Sequence, residues 1–396
     1  HLFRAHLNRD PGINRDCRGD VFCLGWDFDL GYKIPMTSTI SRITPTVTRV
    51  SDKTNWTFIE VETSDGVRGV GEATLYGQEE AMGALTRGVE GDLKGQPLSA
   101  IEALAETTSA STDQTQRAVI SALEQASWDI RGKQEGKPVH ELLGGALNKQ
   151  IPIYANINRR TVDRSLAGFE ASARDAIDAG FNKLKIAPFD GLYPDIGREG
   201  DALFSAGIDR IAATCEVAGP NVQVLVDCHW RLTVSRSEDL IRQAAEMGLY
   251  WVECPLPEDP DDCVDLARLR PLKDSLGVRM AGTEKGTNFN YFEKFIAAEV
   301  YNVIMPDVKY AGGIGALMRL AKLAHERGID YSPHNPAGPL CHNATLHVAA
   351  VIPNLLVLEH QFDESPMFKD LCPGAVPKIE NGLSPLPMGP GIGFSL

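Results

Sequence analysis

From Ile151 onward the chain settles into one rhythm. Short apolar runs recur roughly every 25–40 residues, with helix-like sequence in most of the gaps. Eight such runs can be read: IPIYANIN (151–158), FNKLKIAP (181–188), VQVLVDCH (222–229), YWVECP (250–255), VRMAGTE (278–284), VYNVIMPD (300–307), IDYSPHN (329–335) and LLVLEHQ (355–361). Segments such as LFSAGIDRIAATCEVAG (203–219) and GALMRLAKLAHERG (315–328) supply the helices between them. Eight strands alternating with helices predict a (β/α)8 barrel over residues 151–361.

In such a barrel, chemistry gathers at the carboxyl ends of the strands. The second run ends in Lys183 and Lys185, the third in Asp227 and His229, and the fourth in Glu253. The remaining four end in Glu284, Asp307, His334 and Glu359. A charge closing a buried apolar strand is costly unless it is paired or bound to metal. Alternation puts Lys183 and Lys185 on one face, where mutual repulsion is expected to lower the pKa of at least one and let it act as a base near neutral pH. Taken alone, the same spacing also fits two solvated lysines. Asp227, Glu253 and Glu284 lie on successive strands and are expected to converge, and three carboxylates suit Mg2+. Taken singly, each could instead pair with a lysine or cap a helix. Asp307 and His334 end neighbouring strands, so the carboxylate can fix the imidazole tautomer and raise its basicity. With Lys185 and His334 on opposite sides of the mouth, the arrangement suits abstraction of a proton alpha to a carboxylate. A metal ion would stabilise the enediolate, and a protonated Glu359 would donate to the same oxyanion.

Before the barrel, ITPTVTRV (43–50), WTFIEVETSDG (56–66) and VRGVGEAT (67–74) alternate as an antiparallel meander, and helical sequence follows at 79–87, 101–106 and 117–145. Residues 36–150 therefore read as an α+β domain. The Pro- and Gly-rich segment 362–396 is expected to return to it and complete it. Residues 1–35 carry charge without periodicity and read as a poorly ordered extension or a non-native tail. GGIGAL (312–317) lacks the spacing of a phosphate loop and reads as a turn into a helix.

The 396 residues carry a formal net charge of -14, which argues against nucleic acid or an anionic membrane as main partner. No apolar run is long enough to span a bilayer. The 8 cysteines form no zinc or disulfide pattern, and Cys215, Cys228 and Cys254 sit in apolar runs, so a reducing cytoplasm is expected.

From about residue 39 to the end, the chain resembles the enolase superfamily and, within it, the mandelate racemase subgroup. The resemblance rests on KLK (183–185), Asp227, Glu253, Glu284, MPDVKYAGGI (305–314), SPHNPAGP (332–339), LEH (358–360) and the helix SALEQASWDIRGK followed by PVHELLGG. It implies Mg2+ held by Asp227, Glu253 and Glu284. It also implies Lys185 as a base tuned by Lys183, His334 held by Asp307, and Glu359 as electrophile. It further implies that the α+β domain of residues 36–150 is a capping domain over the barrel, and substrate choice would fall to its loops near Ser51–Trp56 and Thr74–Gln78. DCHWR (227–231) resembles the sugar-acid dehydratases of the subgroup, making His229 the general acid, with a substrate-binding or supporting role as the alternative. Lys285 is expected to point away from the face of Glu284.

The resemblance thus implies dehydration of a sugar acid to a 2-keto-3-deoxy acid by a homo-oligomeric enzyme. Racemisation or epimerisation by Lys185 and His334, and cycloisomerisation, are the alternatives. A non-catalytic metal-binding scaffold is the reading from a different class.

Overall fold

The computed structural model describes residues 38–396, so the extension expected over residues 1–35 lies outside the described residues. Three antiparallel strands open the chain: β1 (Ile40–Arg49), β2 (Asn55–Thr63) and β3 (Arg68–Glu72), in the order β1-β2-β3. Helices α1 (Glu79–Leu93), α2 (Ser99–Thr107), α3 (Gln114–Glu135) and the single turn α4 (Val139–Leu142) follow. The meander matches the sequence expectation, while α1 runs six residues past the expected Arg87. Helix α3 starts where Asp113 accepts hydrogen bonds from the amides of Thr115 and Gln116, and ends at Gly136 with φ +67°. Its buried face packs on β3 so closely that a Cβ at Gly71 would lie 1.8 Å from the Ala122 carbonyl oxygen.

The barrel alternates as expected: β4 (Gln150–Asn156), α5 (Leu166–Asp178), β5 (Lys183–Ile186), α6 (Glu199–Ala218), β6 (Gln223–Asp227), α7 (Val234–Met247), β7 (Trp251–Glu253), α8 (Val264–Leu276) and β8 (Met280–Gly282). Then come α9 (Phe289–Ala297), β9 (Val303–Ile304), α10 (Ile314–Glu326), β10 (Asp330–Tyr331), α11 (Pro339–Val351) and β11 (Leu358–Gln361). These eight strands are parallel, in the order β10-β9-β8-β7-β6-β5-β4-β11. An isolated parallel bridge between Tyr331 and Leu355 brings the two ends of the sheet together. The strands are shorter than the apolar runs because their last residues turn into the mouth.

Alternation sorts the side chains. Val224, Val226, Val252, Leu184, Ile186 and Leu358 face outward into the core shared with the helices. Tyr154, Leu225, Trp251, Ala281, Val303 and Val357 fill the barrel interior. One residue further along each inward face, the filling changes from apolar to ionisable. Thus Leu225 is followed by Asp227, Trp251 by Glu253 and Val357 by Glu359.

The C-terminal segment does return to the cap, where Phe394 stacks on Phe58 at 6.2 Å between ring centroids. It begins with α12 (Met367–Asp370), whose Phe368 packs edge-on against Trp56 at 6.2 Å. Unforeseen from the sequence, it also adds a strand, β12 (Leu383–Pro385), antiparallel to the start of β4. Two buried cap carboxylates bind the barrel helices at their N-termini. Glu72 accepts from the amides of Gly338 (2.7 Å) and Cys341 (3.0 Å) at α11, and Glu124 accepts from Ile314 (2.7 Å) and Gly315 (2.8 Å) at α10. The GGIGAL stretch is therefore a turn into α10, with Gly312 and Gly313 at φ +116° and +90°, and the chain's own glutamate occupies its free amides.

Candidate active site

Residue register sets the site. Asp227 pairs with Glu253 across β6 and β7, and Glu284 follows β8 after Thr283, so three carboxylates meet at the mouth. Their ligand oxygens lie within 4.8 Å of one another and all three residues are buried. Four non-glycine residues with positive φ flank them: His229 (+49°), Trp230 (+59°), Cys254 (+44°) and Thr283 (+78°). Backbone strain of this kind is concentrated where side chains must be aimed.

The fold holds the three carboxylates together against their mutual repulsion. Burial, joined by repulsion from Asp227, pushes Glu253 up to about 8 and Glu284 well above the carboxylate range. Asp227 is held low despite burial, because His229 and Lys185 lie against it. Glu284 Oε2 is buried without a hydrogen bond. Three buried carboxylates with an unmatched oxygen form a hard, oxygen-only donor set, and a divalent cation fits it.

Lys185 departs from expectation. Its Nζ lies among the acids, 2.7 Å from Glu253, 2.8 Å from Glu359 and 3.9 Å from Asp227. Burial alone would lower its pKa, but Glu253 and Glu359 outweigh burial and hold it well above the usual lysine value. The expected lowering by Lys183 is corrected. In register Lys185 is level with Leu225, whereas Lys183 is level with Gln223, a layer deeper. The Lys183 ammonium lies 5.6 Å from the centre of the Tyr250 ring. It shares the face of Lys185 but not its surroundings.

Glu359 also differs from the protonated group expected. Burial favours protonation, but Lys185 and His334 prevail and lower its pKa. Asn156 (2.8 Å) and the Asn335 amide (2.8 Å) donate to its two oxygens and fix its orientation.

The histidine dyad forms as expected. Asp307 and His334 make a parallel bridge beyond β9 and β10, and Nδ1 of His334 donates to Asp307 Oδ2 at 2.8 Å. That leaves Nε2 as the lone-pair nitrogen. Burial holds His334 below its ordinary pKa against the pull of Glu359 and Asp307, which favours the neutral base. Nε2 is 3.5 Å from Glu284 and 4.0 Å from Glu359. His229 sits across the mouth on Asp227. Its amide is 2.9 Å from Oδ1 and its Nε2 2.9 Å from Oδ2. Lys285 is exposed, with its ammonium 3.7 Å from the centre of the Trp230 ring.

A cavity of about 320 Å³ opens over these groups. Lys185, Asp227, His229 and His334 line its floor, and Lys53, Thr54, Asn55, Thr74, Leu75 and Tyr76 come from the cap loops. Sequence reasoning named both loops but missed three residues. Lys309, two residues after Asp307 in MPDVKYAGGI, is buried with Nζ 2.6 Å from Asp307 Oδ2. Arg159 lies just past β4, and its partner Glu364 follows β11. Lys309 was legible, since an i, i+2 partner beside a strand-end acid is a local signal. The Arg159–Glu364 pair joins segments 205 residues apart and leaves no such signal.

Comparison with known proteins follows the same lines. Residues 168–396 match the enolase C-terminal domain-like family, and residues 36–144 match the mandelate racemase / muconate lactonizing enzyme N-terminal domain. A D-galactonate dehydratase from Verminephrobacter eiseniae is 29% identical over 310 residues, covering 77% of this chain and 78% of the relative. An arabinonate dehydratase from Saccharolobus solfataricus is 27% identical, covering 85% and 87%. A D-gluconate dehydratase from Thermoproteus tenax is 26% identical over 70% of this chain, which spans about half (54%) of that relative's length. Among solved structures, a mandelate racemase/muconate lactonizing enzyme-like protein from Roseovarius sp. TM1035 superposes with a TM-score of 0.80. It is 26% identical, with 90% of this chain and 93% of that chain covered. With both domain models matched and the carboxylate triad meeting at the barrel mouth, the chain belongs to the enolase superfamily, in its mandelate racemase/muconate lactonizing enzyme group.

Proposed function

We propose that this chain is a hydro-lyase that dehydrates a sugar acid to a 2-keto-3-deoxy acid, with Mg2+ as its metal. The observation that carries the reading is the opposition of two histidines over one buried carboxylate triad, His334 on Asp307 and His229 on Asp227. The relatives named as D-galactonate, arabinonate and D-gluconate dehydratases support the substrate class.

Asp227, Glu253 and Glu284 would hold the cation, which when bound supplies positive charge to offset the enediolate. His334, neutral and oriented by Asp307, takes the C2 proton at Nε2. His229, which lines the same cavity, gives a proton to the C3 hydroxyl, which leaves as water. The resulting enol tautomerises to the 2-keto acid. Lys185 and Glu359, joined at 2.8 Å, lie beside the carboxylate end of the substrate.

A two-base racemisation is the second reading, because Lys185 lines the same cavity as His334. It is the weaker one, since the Lys185 ammonium is committed to Glu253 and Glu359. A reducing cytoplasm suits the buried thiols of Cys228, Cys254 and Cys341, and a homo-oligomer is the expected assembly. Among the described residues no helix is long and apolar enough to cross a membrane.

The test is incubation of the protein and Mg2+ with a panel of five- and six-carbon aldonic acids, assayed for 2-keto acid. Turnover of at least one acid is expected, lost on chelation. Mg2+ should raise the melting temperature of the wild type but not of Asp227→Asn. No keto acid from any member of the panel overturns the reading.

A further inference from the structure

The mouth of the barrel is closed on one side by a small polar knot built from three distant segments. The β1–β2 hairpin loop folds on itself, with Ser51 N donating to the Thr54 carbonyl at 3.1 Å. From this loop the Ser51 hydroxyl (3.2 Å) and the Thr54 hydroxyl both donate to Glu364 Oε1. From the loop after β4, Arg159 Nη1 reaches Glu364 Oε2 at 2.9 Å and the Thr54 hydroxyl at 3.3 Å. The Glu364 side chain is 10% exposed and that of Arg159 30%, so their ion pair is partly shielded from water and salt. Its placement is built in. Asp363 adopts φ +47°, turning the chain directly after β11, and Phe368 then anchors it against Trp56, His342 and His360.

Thr54 and Arg159 also line the cavity, on the side of the cap. Arg159 makes its bonds to Glu364 and Thr54 through Nη1, so among the described residues Nε and Nη2 keep their donors for a ligand. Arg159 lies three residues beyond Asn156, which itself donates to Glu359. The guanidinium lines the same cavity as Lys185, His229 and His334, held there against Thr54 of the cap and Glu364.

We infer that Glu364 is a latch that holds the 51–54 loop and Arg159 together, and that Arg159 thereby becomes a specificity-determining donor to the hydroxyls at the far end of a five- or six-carbon sugar acid. The planar fork of arginine suits vicinal hydroxyl oxygens, and the carboxylate pins it in one orientation. The ligand assignment rests on the sugar-acid reading, whereas the latch rests on the geometry alone.

Two measurements separate them. Backbone hydrogen exchange over residues 50–55 reads the latch without substrate. Glu364→Gln is expected to speed it about tenfold, the size expected for loss of one charge-assisted bond. Thr54→Val provides the same reading from the other side of the carboxylate. Unchanged exchange in both variants overturns the latch. For the ligand, Arg159→Met and Glu364→Gln should each raise KM for the preferred aldonic acid about tenfold while kcat moves less than about twofold. Competitive inhibition by three-carbon glycerate, which lacks the far carbons, should not change. Equal weakening of glycerate and the long acid overturns the assignment of Arg159. A wild type inactive on every sugar acid overturns the functional reading, and the exchange measurement still decides the latch.

Discussion

Two imidazoles face one cavity, but their partners hold them differently. His334 gives its Nδ1 proton to a buried carboxylate and keeps a lone pair at Nε2. His229 rests on Asp227 from a backbone in the left-handed region and is one-third exposed. Under the proposed mechanism, loss of His334 and loss of His229 should therefore fail differently. His334→Asn is expected to suppress both exchange of the alpha proton in D2O and keto acid formation by about 10²–10⁴. His229→Asn should leave exchange within about tenfold of wild type and suppress keto acid formation by about 10². NMR of the recovered acid and a keto acid assay check both halves. If His229→Asn stops exchange as well, the division of labour is wrong.

At the scale of elements, the joint between cap and barrel is made by carboxylates aimed at helix ends. Glu124 serves the first amides of α10 and the indole of Trp128 (2.9 Å) at once. Glu124→Ala would leave those donors buried without an acceptor. We expect a loss of about 3 kcal/mol, read by thermal or denaturant unfolding, with Glu124→Gln losing less. The barrel elements themselves were legible in the sequence. Continuous apolar runs closed by an acid, as in VLVD and WVE, with Gly and Pro between runs, leave a buried parallel strand as the consistent solution, and the acid at its end falls at the mouth. The Asp307–His334 pair was legible for the same reason. Lys185 was misjudged because period-two alternation reports a shared face and not depth. The stagger of neighbouring strands decides which groups lie level, and it put Lys185 among acids and Lys183 below. The Glu364 contacts and β12 were not legible, because each depends on where a long Pro- and Gly-rich segment lands.

At the scale of the whole molecule, a second histidine pair reports on integrity. His140 from α4 and His347 from α11 stack with centroids 5.2 Å apart and Nδ1 atoms 3.0 Å apart. Burial first, and His140 second, bring His347 down to about 3. The folded protein therefore keeps this imidazole neutral where the unfolded chain, with a pKa near ~6.5, takes a proton. Its contribution is complete above about pH 6.5 and declines as pH falls toward the folded value. At ~1.4 kcal/mol per pH unit, wild type should lose about 2 kcal/mol more than His347→Gln between pH 7.5 and 5. Urea unfolding at the two pH values measures the difference, and equal losses would refute it.

The pairing of β12 with β4 carries a consequence for how the two domains come apart. The first strand of the barrel obtains one of its neighbours from residues 383–385, and Phe58 in the cap waits for Phe394. Loss of residues 383–394 would strip β4 of this neighbour and uncover Phe58 together, so barrel and cap should loosen as one unit rather than separately.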